Sequence, residues 1–260
     1  MRIERRGQGD PEVAVVGGIH GDEPCGVHAV ERLLAADEEF TRPVAFVIAN
    51  ERAAEAGERY VDADLNRVFP GDPSADAHER RLAADLAAEL AGCTVLAIHS
   101  TQSHAEPFAV VDGIDDVARE LVPQLPVSAV VDSANFVEGR LFAADADVVE
   151  VEAGLQGSAA AAENALRITR AFLTAMGALP GDTVSHEVPA FRLLRRLPKE
   201  SAEEYEVFVE NFQPVAAGQT YAASDGHALV ADEEFYPVLL SAYGYADVFG
   251  YAAERIGVLP

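Results

Sequence analysis

Cysteine, tryptophan and lysine are scarce in this chain of 260 residues. It has two cysteines, Cys25 and Cys93, no tryptophan, and one lysine, Lys199. Two cysteines without a CxxC spacing are too few for a disulfide scaffold, so we expect both to be small buried side chains. No run of about 18 apolar residues occurs, and the polar N-terminus lacks the apolar core of a signal peptide. We therefore expect no membrane span and a cytoplasmic location.

Positive charge is also in short supply. There are 44 acidic residues against 19 lysines and arginines, which gives a formal net charge of -25. Such a surface repels nucleic acid and anionic membranes, so neither is expected as a partner. One hypothesis is adaptation to high salt, where screening removes the self-repulsion. A comparison of stability in dilute buffer and in molar salt tests this hypothesis.

Short apolar runs alternate with helical patterns over the first two thirds of the chain. The runs predict buried strands at residues 12–18, 43–49, 94–98, 108–111, 128–131 and 147–151. Apolar spacing predicts helices at residues 24–34, 75–90 and 157–176, and Pro24 suits the first turn of the first of these. This alternation predicts an α/β domain with a mixed, mostly parallel sheet flanked by helices.

The pattern changes after about residue 180. Helical periods fade, and short β-like runs at residues 205–209, 219–222 and 235–240 lie between glycine and proline turns. We therefore predict two domains, an α/β domain over residues 1–182 and a small β-rich domain over residues 183–260.

Polar side chains follow two of the predicted strands directly. His20 and Glu23 come after the first strand, and His99 comes after the third. Ligands of an open α/β sheet bind beyond the carboxyl ends of the strands, and two histidines with one glutamate are a standard ligand set of catalytic zinc sites. The alternative for His20 and Glu23 alone is a polar pair at a helix N-terminus. Asp22 is expected to support the site or to cap the helix rather than to bind metal.

A loop bounded by glycine and proline places two arginines close together. Arg59, Asn66 and Arg67 lie within it, and the guanidinium group is a planar donor suited to carboxylates. In a chain so poor in positive charge, the loop indicates an anionic ligand. The alternative is that both arginines pair with Asp62 and Asp64.

Two glutamates near the end of the strand at 147–151 complete the candidates. Glu150 and Glu152 lie on the same face of that strand, so periodicity alone does not choose between them. Glu152 is nearer the strand end and so nearer the expected cleft.

Four ordered motifs resemble a known family. HGDE at 20–23, DLNRVFPG at 64–71, IHST at 98–101 and EAG at 152–154 are similar to motifs of the succinylglutamate desuccinylase/aspartoacylase family, which is zinc carboxypeptidase-like. The stretch at 211–219 also resembles the β-rich domain of these proteins. The resemblance implies a zinc-carboxypeptidase-like fold with a small C-terminal β-rich domain.

The resemblance assigns roles to the site residues. It implies that His20, Glu23 and His99 hold one Zn²⁺ per chain, and it selects Glu152 as the general base and acid. In the arginine loop it implies that Asp64 orients the loop and that Arg59 polarises the scissile carbonyl. It also implies that Asn66 and Arg67 bind the substrate's α-carboxylate. The family's remaining substrate-side residues have several candidates, namely Arg140, Tyr243 and Tyr245.

The implied activity is zinc-dependent hydrolysis of the amide bond in a small N-acyl amino acid that carries a carboxylate. The alternatives are a zinc carboxypeptidase or esterase on the same scaffold, and a non-catalytic protein that binds zinc or a metabolite. The sequence leaves open the acyl group, the amino acid and whether the protein forms a homo-oligomer.

Overall fold

The computed structural model describes residues 1–36, 38–136 and 138–260 and contains both parallel and antiparallel strands. In chain order the strands are β1 Arg2–Arg6, β2 Val13–Gly17, β3 Val44–Ile48, β4 Thr94–Thr101, β5 Phe108–Val111, β6 Val130–Asp132, β7 Asp147–Leu155, β8 Val188–Pro198, β9 Tyr205–Val207, β10 Thr220–Ser224, β11 His227–Val230, β12 Tyr236–Val238 and β13 Val248–Leu259. The α-helices are α1 Pro24–Ala35, α2 Glu51–Ala56, α3 His78–Leu90, α4 Asp116–Leu121 and α5 Ala159–Ala175.

Ten of these strands form one sheet in the order β1-β3-β2-β4-β7-β5-β6-β8-β13-β12. Five of its nine strand pairings are parallel, and β5 runs antiparallel to β7 in the middle of the sheet. The predicted α/β class is therefore confirmed. The alternation of strands and helices could not reveal the reversed β5, because β5 follows β4 through a loop without a helix.

Alternate residues of the central strands face two apolar layers. In β2, Val13 and Val15 pack into the layer that includes α1, α4 and α5, whereas Ala14 and Val16 face the layer that includes α3. All four side chains are wholly buried. Burial on both faces explains why these strands are continuous apolar runs rather than alternating ones.

Two glycines allow the segment after β2 to pass close to its neighbours. A Cβ on Gly17 would lie 2.4 Å from the carbonyl carbon of Gly26 in α1, and one on Gly21 would lie 2.1 Å from that of Ala53 in α2. A larger residue at position 17 would push the first turn of α1 away from the sheet, and one at position 21 would push the HGDE turn away from α2. The glycines thus hold the HGDE turn tightly against the carboxyl end of β2.

The C-terminal strands extend the large sheet and also form a second one. β8 pairs in parallel with β6, and β13 and β12 add to the same sheet in antiparallel orientation. The large sheet therefore contains strands from both sides of the domain boundary predicted between residues 182 and 183. Strands β11, β10 and β9 form a separate three-stranded sheet. The division into two domains stays a prediction. None of the helices in the described ranges is long and apolar enough to cross a lipid bilayer.

Candidate metal and active site

The carboxyl ends of β2, β4 and β7 meet at one cleft. β2 lies beside β4, and β4 lies beside β7 with His99 and Glu152 as paired residues across the ladder. The cleft has a volume of about 160 Å³ and is lined by His20, Glu23, His99, Arg59 and Glu152, among others. The structure thus brings together the residues that strand-end reasoning selected separately.

Glu23 bridges the two histidines. His20 Nδ1 donates to Glu23 Oε1 at 2.8 Å, and His99 Nδ1 donates to Glu23 Oε2 at 2.9 Å. All three side chains are buried, and each offers one ligand atom within 4.8 Å of the others. Nitrogen and carboxylate oxygen atoms converging in this way are suited to a zinc ion.

Two acidic side chains, Glu23 and Asp64, lie within hydrogen-bond distance of His20. Burial alone would lower the pKa of His20, but the charge of Glu23 and hydrogen bonds with Asp64 and Glu23 outweigh it and raise the pKa to about 9. Since a histidine must be neutral to bind a metal, metal binding here would displace a proton.

The neighbouring residue Asp22 does not cap α1. The N-cap of α1 is Glu23, and its side chain makes no capping hydrogen bond. Asp22 lines the cleft instead, and its Oδ1 is buried without a hydrogen-bond partner within the described ranges. The capping role that the sequence allowed for Asp22 is therefore not observed.

Arg59 reaches the His-Glu-His cluster from the arginine loop. Its Nη2 lies 3.1 Å from Asp64 Oδ2, its Nη1 lies 3.3 Å from Glu23 Oε1, and its backbone carbonyl accepts from Gly21 N at 3.1 Å. Asp64 also lies 3.1 Å from His20 Nε2 and accepts from the backbone of Asn66 at 3.0 Å. Asp64 thus connects the arginine loop to His20.

The two glutamates of β7 lie in different environments. Glu150 is buried and accepts hydrogen bonds from Arg140 Nη2 and from Asn66 Nδ2, the latter at 3.0 Å. Burial favours the neutral acid, but Arg140, His99 and these hydrogen bonds hold the pKa of Glu150 below its ordinary value. Burial, followed by the negative charge of Glu23, raises the pKa of Glu152 to about 7. The environment therefore distinguishes two residues that strand periodicity does not.

Both the nitrogen and the oxygen of the Asn66 side-chain amide make hydrogen bonds within the protein. Besides donating to Glu150, it accepts a hydrogen bond from the backbone of Leu141 at 2.8 Å. Arg67 donates to the backbone carbonyl of Asn66 at 2.6 Å, and its side chain is exposed at the cleft. The three predicted substrate-binding residues, Asn66, Arg67 and Arg140, all line the cleft, and of these Arg67 is the one with an exposed side chain.

The two candidate tyrosines are separated by the structure. Tyr245 lines the cleft, where burial, then the charge of Glu152, raises the pKa of its hydroxyl group. Tyr243 is 63% exposed and lies against Tyr205, with ring centroids 5.9 Å apart. Of the two, Tyr245 is the one that lines the cleft.

Buried polar atoms without partners are concentrated at this cleft. Among the described residues six side-chain atoms are of this kind, and five belong to residues that line the cleft: Asp22, His99, Ser100, Arg140 and Glu152. Unsatisfied buried groups are rare in folded proteins, and their concentration here is typical of a site that binds an ion or a ligand. His99 Nε2 is one of these atoms, which fits a role in metal binding.

Sequence reasoning missed Glu79, which holds the arginine loop. This wholly buried carboxylate accepts hydrogen bonds from the backbone of Val61, Asp62 and Ala63 at 2.7, 2.9 and 3.1 Å, and from Asn50 Nδ2 at 2.9 Å. Its only signal in the sequence is an acidic residue near the start of a helix, which is common where the helix dipole favours negative charge.

We expect the substitution Glu79→Gln to destabilise the protein by about 2–4 kcal/mol, because an amide would aim a donor at buried backbone N–H groups. Urea denaturation measures the change in the free energy of unfolding. Glu55→Gln on the exposed face of α2 is the matched control and should change stability by less than about 0.5 kcal/mol. Equal effects of the two substitutions would show that the loop does not depend on Glu79.

A mostly parallel sheet with a His-Glu-His cluster at its strand ends defines an α/β protein with a candidate metal centre. The model of the succinylglutamate desuccinylase/aspartoacylase catalytic domain matches residues 9–179. The chain belongs to this family.

Similar proteins in the family are named for different substrates. Aspartoacylase from Xenopus tropicalis is 32% identical over 133 residues, which are 45% of this chain and 42% of the relative. The human N-acyl-aromatic-L-amino acid amidohydrolase (carboxylate-forming) is 35% identical over 108 residues, 35% of this chain and 34% of the relative. The matches thus cover less than half of these relatives. The structure of a succinylglutamate desuccinylase from Silicibacter has a TM-score of 0.77 at 20% identity, over 97% of this chain and 88% of that one.

Proposed function

We propose that the protein is a zinc-dependent deacylase that hydrolyses the amide bond of a small N-acyl amino acid. The observation that carries this proposal is the convergence of the His-Glu-His cluster, the separate carboxyl group of Glu152 and the exposed Arg67 at one cleft. Family membership supports the reaction class.

The ligand set fits zinc. His20, Glu23 and His99 supply two imidazoles and a carboxylate, which leave room for water and substrate in an open zinc site. A zinc ion held there would supply Lewis acidity, polarising the scissile carbonyl and lowering the pKa of a water molecule. The backbone N–H of Ser100 donates a hydrogen bond to Glu23 Oε2 at 3.2 Å. This hydrogen bond helps to fix the orientation of the Glu23 side chain.

Glu152 is proposed as the general base and acid. A carboxyl group with a pKa of about 7 accepts a proton from water and returns it to the leaving nitrogen near neutral pH. Its Oε2 is buried and makes no hydrogen bond to the described residues, so it is available for this transfer. Glu150 is less suited, because Arg140 and Asn66 already engage its carboxylate.

Arg59 is proposed to stabilise the oxyanion that forms at the scissile carbonyl. Asp64 and Glu23 orient its guanidinium group beside the ligand cluster. A preorganised donor of this kind contributes about 3 kcal/mol to transition-state stabilisation. Arg67 is proposed to bind the substrate carboxylate, and Asn66, Arg140 and Tyr245 are proposed to complete the substrate side of the cleft.

The cavity favours small substrates. Its volume of about 160 Å³ is below the range of about 300–1,000 Å³ that is usual for drug-sized ligands. Deacylation of a small amino acid derivative fits this volume better than cleavage of a polypeptide, which was the carboxypeptidase alternative.

We expect Arg67→Ala to raise KM for an N-acyl amino acid by about 10- to 100-fold with a smaller change in kcat, because a charged hydrogen bond to the substrate carboxylate would be lost. Steady-state kinetics of the zinc-loaded protein measures this. Arg167→Ala on the exposed surface of α5 is the matched control. If Arg67→Ala leaves KM unchanged, another residue binds the carboxylate.

A further inference from the structure

The three arginines that line the cleft differ in their partners. Arg59 lies 3.1 Å from Asp64 and 3.3 Å from Glu23. Arg140 is hydrogen-bonded to Glu150 and lies 5.3 Å from the centre of the Phe142 ring. The positive charge of each of these two arginines is therefore compensated by a carboxylate of the protein itself.

Arg67 is different, because no carboxylate oxygen of the described residues lies within 4.0 Å of its guanidinium group. Its guanidinium group donates one hydrogen bond among the described residues, to the backbone carbonyl of Asn66. The only lysine of the chain, Lys199, donates to the backbone carbonyl of Tyr245 and lies over the ring of Tyr205, and it does not line the cleft. Among the described residues that line the cleft, Arg67 is thus the arginine without an ion-pair partner within 4.0 Å.

Negative charge also faces the cleft. Asp22 lines it and has a buried oxygen that finds no hydrogen-bond partner in the described ranges, and Glu152 lines it as well. A second carboxylate on a substrate would meet these acids, and it would compete for Arg59 and Arg140 with Asp64, Glu23 and Glu150, which already pair with them. Like charges at short range in a partly buried site disfavour binding.

One part of the cleft lining is apolar. It is formed by Val110 of β5, Val131 of β6, Leu193 of β8 and Leu239 after β12, together with the ring of Tyr251 from β13. These side chains belong to one apolar cluster, or pack against it, where the strands of the sheet's second half meet. Such a wall suits a hydrocarbon group better than a charged one.

We infer that the substrate of this cleft is an N-acyl amino acid with a single carboxylate and an apolar side chain, rather than an N-acylated aspartate or glutamate. This inference rests on the proposed deacylase function. Arg67 binds the one carboxylate, the apolar wall contacts the side chain, and Asp22 disfavours a second negative charge.

The test compares four substrates with zinc-loaded protein: N-acetyl-L-leucine, N-acetyl-L-aspartate, N-succinyl-L-glutamate and N-acetyl-L-2,4-diaminobutyrate. The expected kcat/KM for N-acetyl-L-leucine is at least about tenfold higher than for the other three, in line with the modest selectivity of apolar pockets. A preference for either dicarboxylic substrate, or for the cationic one, would overturn the inference and leave deacylation intact.

A binding measurement separates this inference from the proposed function. Calorimetric titration of the Glu152→Gln variant should show about tenfold tighter binding of N-acetyl-L-leucine than of N-acetyl-L-aspartate. If the wild-type protein binds the leucine derivative in this way but does not cleave it, the proposed function fails while the inference about the ligand stands. Equal or reversed affinities would overturn the inference.

The variant Asp22→Asn tests the negative charge directly. It should reduce the preference for N-acetyl-L-leucine over N-acetyl-L-aspartate by about three- to tenfold, because one repelling charge is removed. The ratio of the two kcat/KM values does not depend on the amount of metal bound. Asp85→Asn on the exposed face of α3 changes the net charge equally and should leave the ratio unchanged. An unchanged ratio in Asp22→Asn would overturn the role assigned to Asp22.

Discussion

Glu152→Gln is expected to lower kcat by about 10²- to 10⁴-fold, the usual contribution of a positioned general base and acid. Glutamine preserves the size of the side chain but cannot accept the proton of water. We expect the variant to fold normally and to retain its metal, because Glu152 lies outside the His-Glu-His cluster. Steady-state kinetics, metal analysis and thermal unfolding on the same preparation check these points together.

Two further variants serve as controls for Glu152→Gln. Glu163→Gln alters a glutamate on α5 whose side chain is 70% exposed, and it should leave kcat unchanged. Glu150→Gln removes the carboxylate that pairs with Arg140 and leaves a buried positive charge without its partner, so it should chiefly lower stability. An active Glu152→Gln variant, or a larger loss of kcat at equal stability in Glu150→Gln, would contradict the assignment.

His99→Ala should remove most of the zinc from the purified protein. His99 supplies one of three converging ligand atoms, and substitution of residues that merely support a metal ligand already weakens metal binding by about 10- to 100-fold. Loss of the ligand itself should therefore weaken binding by more than about 100-fold. Mass spectrometry of metals after dialysis against zinc-free buffer measures the stoichiometry, which should fall from one zinc per chain to well below that.

His28 provides the matched control for this substitution. It lies on the exposed side of α1, so His28→Ala removes an imidazole from the same region without touching the cluster. Unchanged zinc content in His99→Ala, with the fold intact, would exclude His99 as a ligand.

Much of the site could be predicted because its residues follow buried strands. His20, Glu23 and His99 are close in space for the reason the pattern gave, namely that carboxyl ends of neighbouring parallel strands lie at one edge of the sheet. The start of α1 at Pro24 was also predicted correctly. These features depend on local sequence and on a general rule of sheet topology.

Other features depend on contacts between distant segments and left little trace in local sequence. Arg140 and Asn66 distinguish Glu150 from Glu152 only once the chain is folded. Strand β1 was missed because its residues are mostly arginine and glutamate, and it forms by pairing with β3 at the sheet edge. Strands β8 and β13 were also missed. Both are long and mix buried with exposed residues, so neither shows a clear apolar run.

The most direct test of the account is the release of free amino acid from N-acetyl-L-leucine by protein stripped of metal with a chelator and then titrated with zinc. We predict that activity is lost on stripping and returns in proportion to added zinc, with a break at one zinc per chain. Activity that is unaffected by the chelator, or absent at every zinc level for all four N-acyl amino acids, would contradict a zinc-dependent deacylase.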